Sequence, residues 1–138
     1  MQLELITPEK VVLQQEIDEL VVQAPQGQLA ILPHHAQLLT KVTEGEMIVK
    51  IDGKEHYLAV TGGFLEVRNN KITILADYAV RSEEIEIEKA MKAQERAKEM
   101  LKKKEEGISE RDFAIAQSDL RRSLLELHVA NKRKRQRV

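Results

Sequence analysis

Histidine is the residue type here best suited to proton transfer or metal binding, and its four copies are His34, His35, His56 and His128. Neighbouring side chains on a strand point to opposite faces, so His34 and His35 share one ion only if a turn reorients them. His56 and His128 lie in different parts of the chain, with no acidic companion at ligand spacing. There is no cysteine, which removes thiol nucleophiles, iron–sulfur clusters and zinc sites built on thiolates. Gly-x-x-x-x-Gly-Lys-Ser/Thr, Gly-x-Ser-x-Gly and His-Glu-x-x-His are all missing from the sequence, so no phosphate cradle, nucleophile elbow or zinc helix is written into it. We therefore assign no catalytic residue and no metal site, and expect a chain that is not an enzyme by itself.

Charge is the other chemistry on offer. Lys102-Lys103-Lys104, Arg111, Arg121-Arg122 and the run Lys132-Arg133-Lys134-Arg135-Gln136-Arg137 make the C-terminal part basic. That last run could neutralise about five phosphates, which makes nucleic-acid binding the alternative function. The aromatic residues, Tyr57, Phe64, Tyr78 and Phe113, are scattered and supply no stacking platform. Nucleic acid is therefore not the expected partner.

The elements that position these residues follow from composition. The chain has 138 residues, 42% hydrophobic and 33% charged, a balance for a folded domain with an appendage. No stretch approaches the roughly 20 apolar residues of a membrane span, and the start, Met1-Gln2-Leu3-Glu4, does not resemble a secretory signal. Net charge is -1, yet residues 1–82 carry 7 lysines and arginines against 11 acidic residues, whereas residues 83–138 carry 15 against 12. All three prolines and five of six glycines fall before Ser82. The boundary is placed at Arg81-Ser82, giving domains 1–82 and 83–138.

The first part alternates with period two in short bursts, as at Leu3/Leu5 and Ile72/Ile74, broken by Pro25-Gln26-Gly27, Asp52-Gly53-Lys54, Thr61-Gly62-Gly63 and Asn69-Asn70. About ten strands at such spacing predict an all-β sandwich. Asp52-Gly53 is the sharpest hairpin signal, because both residues tolerate the positive φ of a type I′ turn. The second part predicts a helix opening at Ser82-Glu83-Glu84 and running through Lys104, with Ile87, Ala90, Met91, Ala97 and Leu101 on one face. Gly107 stops it, Ser109-Glu110-Arg111-Asp112 reads as a capping box, and Phe113, Ala116, Leu120, Leu124, Leu127 and Asn131 form a second stripe. Two helices with a short link predict a C-terminal antiparallel α-helical hairpin.

This order, together with Ala30-Ile31-Leu32-Pro33-His34-His35-Ala36-Gln37-Leu38-Leu39 and Val60-Thr61-Gly62-Gly63-Phe64-Leu65-Glu66-Val67, resembles the epsilon subunits of bacterial F-type ATP synthases over nearly the whole chain. The family pattern in the first segment is closer to Gly-Ile-Leu-Pro-Gly-His, so Ala30 and His34 stand where glycine is usual. The second matches Ser/Ala-Gly-Gly-x-x-Glu-Val with Thr61 at its first position.

The resemblance implies a non-catalytic rotor component of the central stalk on the cytoplasmic face of the bacterial cell membrane. The sandwich would clamp the gamma subunit and rest on the ring of c subunits, with Gln28 and His35 in loops facing the c-ring. The hairpin would extend into the catalytic head and inhibit ATP hydrolysis, its Lys102, Lys103, Lys104, Arg111, Arg121 and Arg122 facing an acidic surface of the beta subunit, with alpha nearby. Some epsilon subunits bind ATP through a first-helix pattern Ile/Leu-Asp-x-x-Arg-Ala. Here Ile85-Glu86-Ile87-Glu88-Lys89-Ala90 stands in that place, with Arg96 and Arg122 at later basic positions. Glu86 adds a methylene, Lys89 replaces a planar fork by a point charge, and Glu126 takes the place of a further arginine. The expectation is a hairpin that requires no cofactor, with ATP as a regulatory ligand whose candidate set is Glu86, Lys89, Ala90, Arg96 and Arg122.

Overall fold

Alternating apolar and polar side chains in the N-terminal part produce ten strands: β1 (Gln2–Ile6), β2 (Val11–Glu16), β3 (Glu19–Ala24), β4 (Gly27–Ile31), β5 (Leu38–Val42), β6 (Gly45–Ile51), β7 (Lys54–Val60), β8 (Gly63–Arg68), β9 (Lys71–Ala76) and β10 (Ala79–Arg81). The structure, a computed structural model, describes residues 1–136, with Lys104, Glu105 and residues 133–136 described by their backbone alone. The chain divides into two units, Met1–Ser82 and Glu83–Val138, at the boundary the charge asymmetry marks.

The strands of the first unit form two five-stranded sheets, ordered β2-β1-β9-β8-β5 and β10-β7-β6-β3-β4. Every pairing is antiparallel except β1 with β9. Side chains alternate across the pleat, and register makes the inner face of the first sheet continuous. Leu5, Ile74 and Leu65 form one row and Leu3, Ile72 and Val67 the next, all fully buried. From the second sheet Leu20, Val22, Ile31, Met47, Val49 and Leu58 complete the core. Each such side chain contributes roughly 1.5–3 kcal/mol relative to exposure. At the sheet edges, Arg81 of β10 donates from Nη2 to the Val12 carbonyl of β2 at 2.8 Å, tying one sheet to the other.

The hairpin turns answer to their residue types. Asp52 and Gly53 have φ of 50° and 78°, and Asn69 and Asn70 have 50° and 60°, so both two-residue connections carry the left-handed pair that a type I′ turn needs. Gly63 is required for a different reason. A Cβ there would lie 2.0 Å from the Leu75 carbonyl oxygen, at a φ of +151°, so only glycine allows β8 to begin beside β9.

In the second unit, α1 (Ile87–Lys102) and α2 (Glu110–Gln136) make the expected hairpin. The start of α1 differs from the sequence reading. Ser82–Glu84 is a single 3-10 turn with Ser82 buried, and α1 opens at Ile87 after Glu86, which makes no side-chain cap. Ser82 closes the sandwich unit, so its hydroxyl is not at a helix mouth. The α-helix also ends at Lys102, two residues short of Lys104, passing into a 3-10 turn, Lys103–Glu106. Gly107 has the expected left-handed φ, +92°. Ser109 caps α2 as its residue type demands, its Oγ accepting from the Asp112 amide at 3.1 Å.

The apolar stripes need correction at Met91 on α1 and at Leu124 and Asn131 on α2, all of them exposed. Met91 and Leu124 are 53% and 46% exposed. The at least partly buried positions include Ile87, Ala90, Gln94, Ala97 and Leu101 on α1 and Phe113, Ala116, Leu120, Ser123, Leu127 and Ala130 on α2, flanked by Ala93 and Met100 on the first helix and by Leu125, Glu126 and the fully buried Val129 on the second. That 3-4 alternation is the heptad seam of two long packed helices, and it selects the position and not the hydrophobicity. Ser123 is tolerated there because its Oγ donates to the Leu120 carbonyl at 2.9 Å.

Candidate functional site

Three surfaces carry the candidate residues, two on the sandwich and one on the hairpin. The first lies where the β4–β5 connection meets the β8–β9 turn. His34 takes a φ of +64°, which explains why glycine is usual at this place in the resembling sequences. Its amide donates to Asn70 Oδ1 at 2.8 Å, joining the two loops. His35 is half-buried, and its Nδ1 lies 2.8 Å from the Ala36 carbonyl, so Nδ1 carries the proton and donates. Gln28 does not join them. It is exposed within strand β4, opposite Gln23 and beside the β3–β4 turn, whereas His35 follows the other end of that strand. The expectation of a loop for Gln28 is corrected, because Pro25-Gln26 alone makes the turn and Gly27 already pairs with Ala24.

The second surface was not anticipated. On the outer face of the first sheet, Phe64 and Leu75 are directly paired and are 54% and 55% exposed. Leu39, on β5, is 73% exposed. The row continues to Lys41 on one side and Ile6 on the other. The sequence signal is a lapse in alternation: Glu66 and Thr73 are polar on this face, whereas Phe64 and Leu75, two residues away on the same strands, are not. Contiguous exposed apolar side chains mark an interaction surface more strongly than single ones.

On the hairpin, Lys102, Lys103 and Arg111 are exposed around the tip, and the side chain of Lys104 lies outside the described residues. Arg121 and Arg122 are exposed about 17 Å further along α2. The side chains of Arg133, Lys134 and Arg135, and Arg137 altogether, also fall outside the described residues. Of the ATP candidates, Glu86 and Lys89 pair with each other at 3.2 Å and are mostly exposed. Ala90 is buried in the seam. Lys89 and Arg96, two turns apart, line one shallow groove with Met91, Lys92 and Glu95. Arg122 lies on the other helix, as far past the connection as Ala90 lies before it, about 18 Å. Its Nε is 3.7 Å from Glu126 Oε1. The structure thus gathers Lys89 with Arg96 in one groove and sets Arg122 beside a carboxylate. Among the described residues no group of three or more histidines and carboxylates could hold a metal ion.

One tyrosine is electrostatically unusual. Tyr57, on β7, is buried and donates its phenolic proton to Glu55. Burial, then this hydrogen bond and the charges of Glu55 and Glu46, push its pKa up to about 12.

Comparison with known proteins resolves the family. A family model described as the beta-sandwich domain of the ATP synthase delta/epsilon chain matches residues 1–82, and one described as its long alpha-helix domain matches residues 83–131. The chain belongs to the ATP synthase delta/epsilon family. The epsilon chain of Dehalococcoides mccartyi (strain CBDB1) is 41% identical over 136 residues, covering 98% of this chain and 95% of its own. That of Nitratidesulfovibrio vulgaris (strain DP4) is 39% identical over 127 residues, 92% of each chain. A chain of the Euglena gracilis mitochondrial ATP synthase shares the fold, with a TM-score of 0.71, 24% identity, and coverage of 88% of this chain and 75% of that one. As an epsilon chain it is a non-catalytic subunit of the ATP synthase central stalk. No helix among the described residues is long and apolar enough to cross a membrane.

Proposed function

We propose that this epsilon chain couples rotation of the c-ring to ATP synthesis, with the sandwich as a clamp and the hairpin as a brake. The observation that carries the clamp is the Leu39, Phe64, Leu75 surface on the outer face of the first sheet. It is the docking face for the gamma subunit. Burying what remains exposed of these three side chains contributes at most roughly 1.5–3 kcal/mol each. Gln28 and His35 are the c-ring contacts of this reading, approached from opposite ends of β4. The assembly lies on the cytoplasmic face of the bacterial cell membrane and is peripheral to it through its partners.

The hairpin inhibits hydrolysis by entering the head, where Lys102, Lys103, Lys104, Arg111, Arg121 and Arg122 meet acidic surface of the beta subunit. What supports this is a seam in which Ala90, Ala97, Ala116, Ser123 and Ala130 hold five of eleven positions, so that it buries less apolar area than a seam of large side chains would. ATP is a regulatory ligand of the Lys89 and Arg96 groove; with Glu86 committed to Lys89 and Arg122 beside Glu126, its binding is weak. The reading is tested by affinity capture of the full chain from lysate at moderate salt. Recovery of gamma with other stalk and head subunits supports it, and recovery of nucleic acid alone favours the basic tail as a nucleic-acid binder.

A further inference from the structure

We propose that the concavity between the β4–β5 connection and the β8–β9 turn is a binding site for a phosphate group, with Arg68 as its cation and His34, His35, Asn69 and Asn70 as donors. These residues and Gln37 line one polar depression of about 520 Å³. The charged or titratable side chains among them are Arg68, His34 and His35, and no carboxylate lines it. No hydrogen bond or ion pair of the Arg68 guanidinium is found among the described residues. The neighbouring lysine, Lys71, is occupied by Glu4 at 3.3 Å.

Arginine presents a planar fork of donors that matches two oxygens of a phosphate. Since His35 Nδ1 is bound to the Ala36 carbonyl, its Nε2 is the nitrogen left for a ligand. It accepts from a protonated phosphate oxygen when neutral and donates when the ring is an imidazolium. His34 sits in a left-handed conformation that favours glycine. Its side chain is held there at a conformational cost, which adds a second imidazole to the depression. The ligand chemistry is a phosphate mono- or diester, supplied either by a soluble phosphate or by a phospholipid headgroup.

The test uses the full chain at pH 6.0 and constant ionic strength. Inorganic phosphate is titrated while amide NMR signals are followed, and the chain is co-sedimented with vesicles of phosphatidylcholine alone or with about a third phosphatidylglycerol. The expected result is saturable shifts at His34, Asn69 and Asn70 with a millimolar midpoint, weakened at least fivefold by Arg68→Gln and partly by His34→Gly. Arg68 is exposed beside the turn, so unchanged signals elsewhere verify that the variant folds. Sedimentation that depends on phosphatidylglycerol and on Arg68 identifies the headgroup as the source, and saturable phosphate shifts without it identify a soluble phosphate. Shifts that do not saturate, or that are the same in Arg68→Gln, overturn the proposal, as does vesicle binding indifferent to that substitution.

Discussion

Phe64 and Leu75 face one another across β8 and β9 on the side of the sheet turned away from the core, each more than half exposed. Their sequence neighbours Leu65 and Ile74 point inward and are fully buried. The same two strands therefore build the core with one face and a docking surface with the other. If that surface seats the gamma subunit, replacing Phe64 and Leu75 together by serine weakens binding to gamma about 150- to 1,000-fold, from roughly 1.5–2 kcal/mol per side chain. Thermal stability changes little, since exposed substitutions stay within about 0.5 kcal/mol each. Calorimetric titration against purified gamma, beside a melting curve, separates the two effects.

Gly63 provides a backbone test. Because a Cβ would collide with the Leu75 carbonyl and the Ala76 Cα, Gly63→Ala forces β8 away from β9 and costs at least about 3 kcal/mol. Gly53 also has positive φ but nothing within 4 Å of its added Cβ, so Gly53→Ala costs only about 1 kcal/mol. Urea unfolding of both variants, followed by circular dichroism, checks the ratio.

Tyr57 sets an alkaline limit. An acid whose pKa is raised in the fold keeps its proton longer in the folded state than in the unfolded one. The folded chain thus binds more protons between pH 10 and about 12, and stability falls with rising pH across that window. Below pH 10 the contribution is fully present. The chain has two tyrosines and no tryptophan, so phenolate absorbance is simple to follow. One component is expected to titrate near 12 and to vanish in Tyr57→Phe, which also flattens the alkaline loss of melting temperature.

Legibility in the sequence tracked how local the governing physics was. Asp52-Gly53 announced its turn because two residues suffice to fix it. The domain boundary at Ser82 was visible in charge and punctuation, and the resemblance covered the span that the family models match. Ser82 does not cap α1 because it is buried at the head of a separate 3-10 turn, Ser82–Glu84, and α1 opens only at Ile87. Leu124 is apolar yet 46% exposed, because heptad position decides which residue enters the seam, and Ser123 holds that place. The Phe64 and Leu75 surface depends on strands brought together by register, and the His34, Arg68 and Asn70 cluster on loops from different hairpins. Neither adjacency exists along the chain.

In the proposed function the sandwich couples and the hairpin restrains. The most direct measurement is ATP hydrolysis and ATP synthesis by the reconstituted complex, with the full chain against a version ending at Ser82, across ATP concentrations. The truncated unit retains its own core of buried side chains, so it is expected to incorporate. A higher hydrolysis rate after truncation, largest at low ATP, with synthesis largely intact, is the predicted result. Equal hydrolysis rates with both versions incorporated would contradict it.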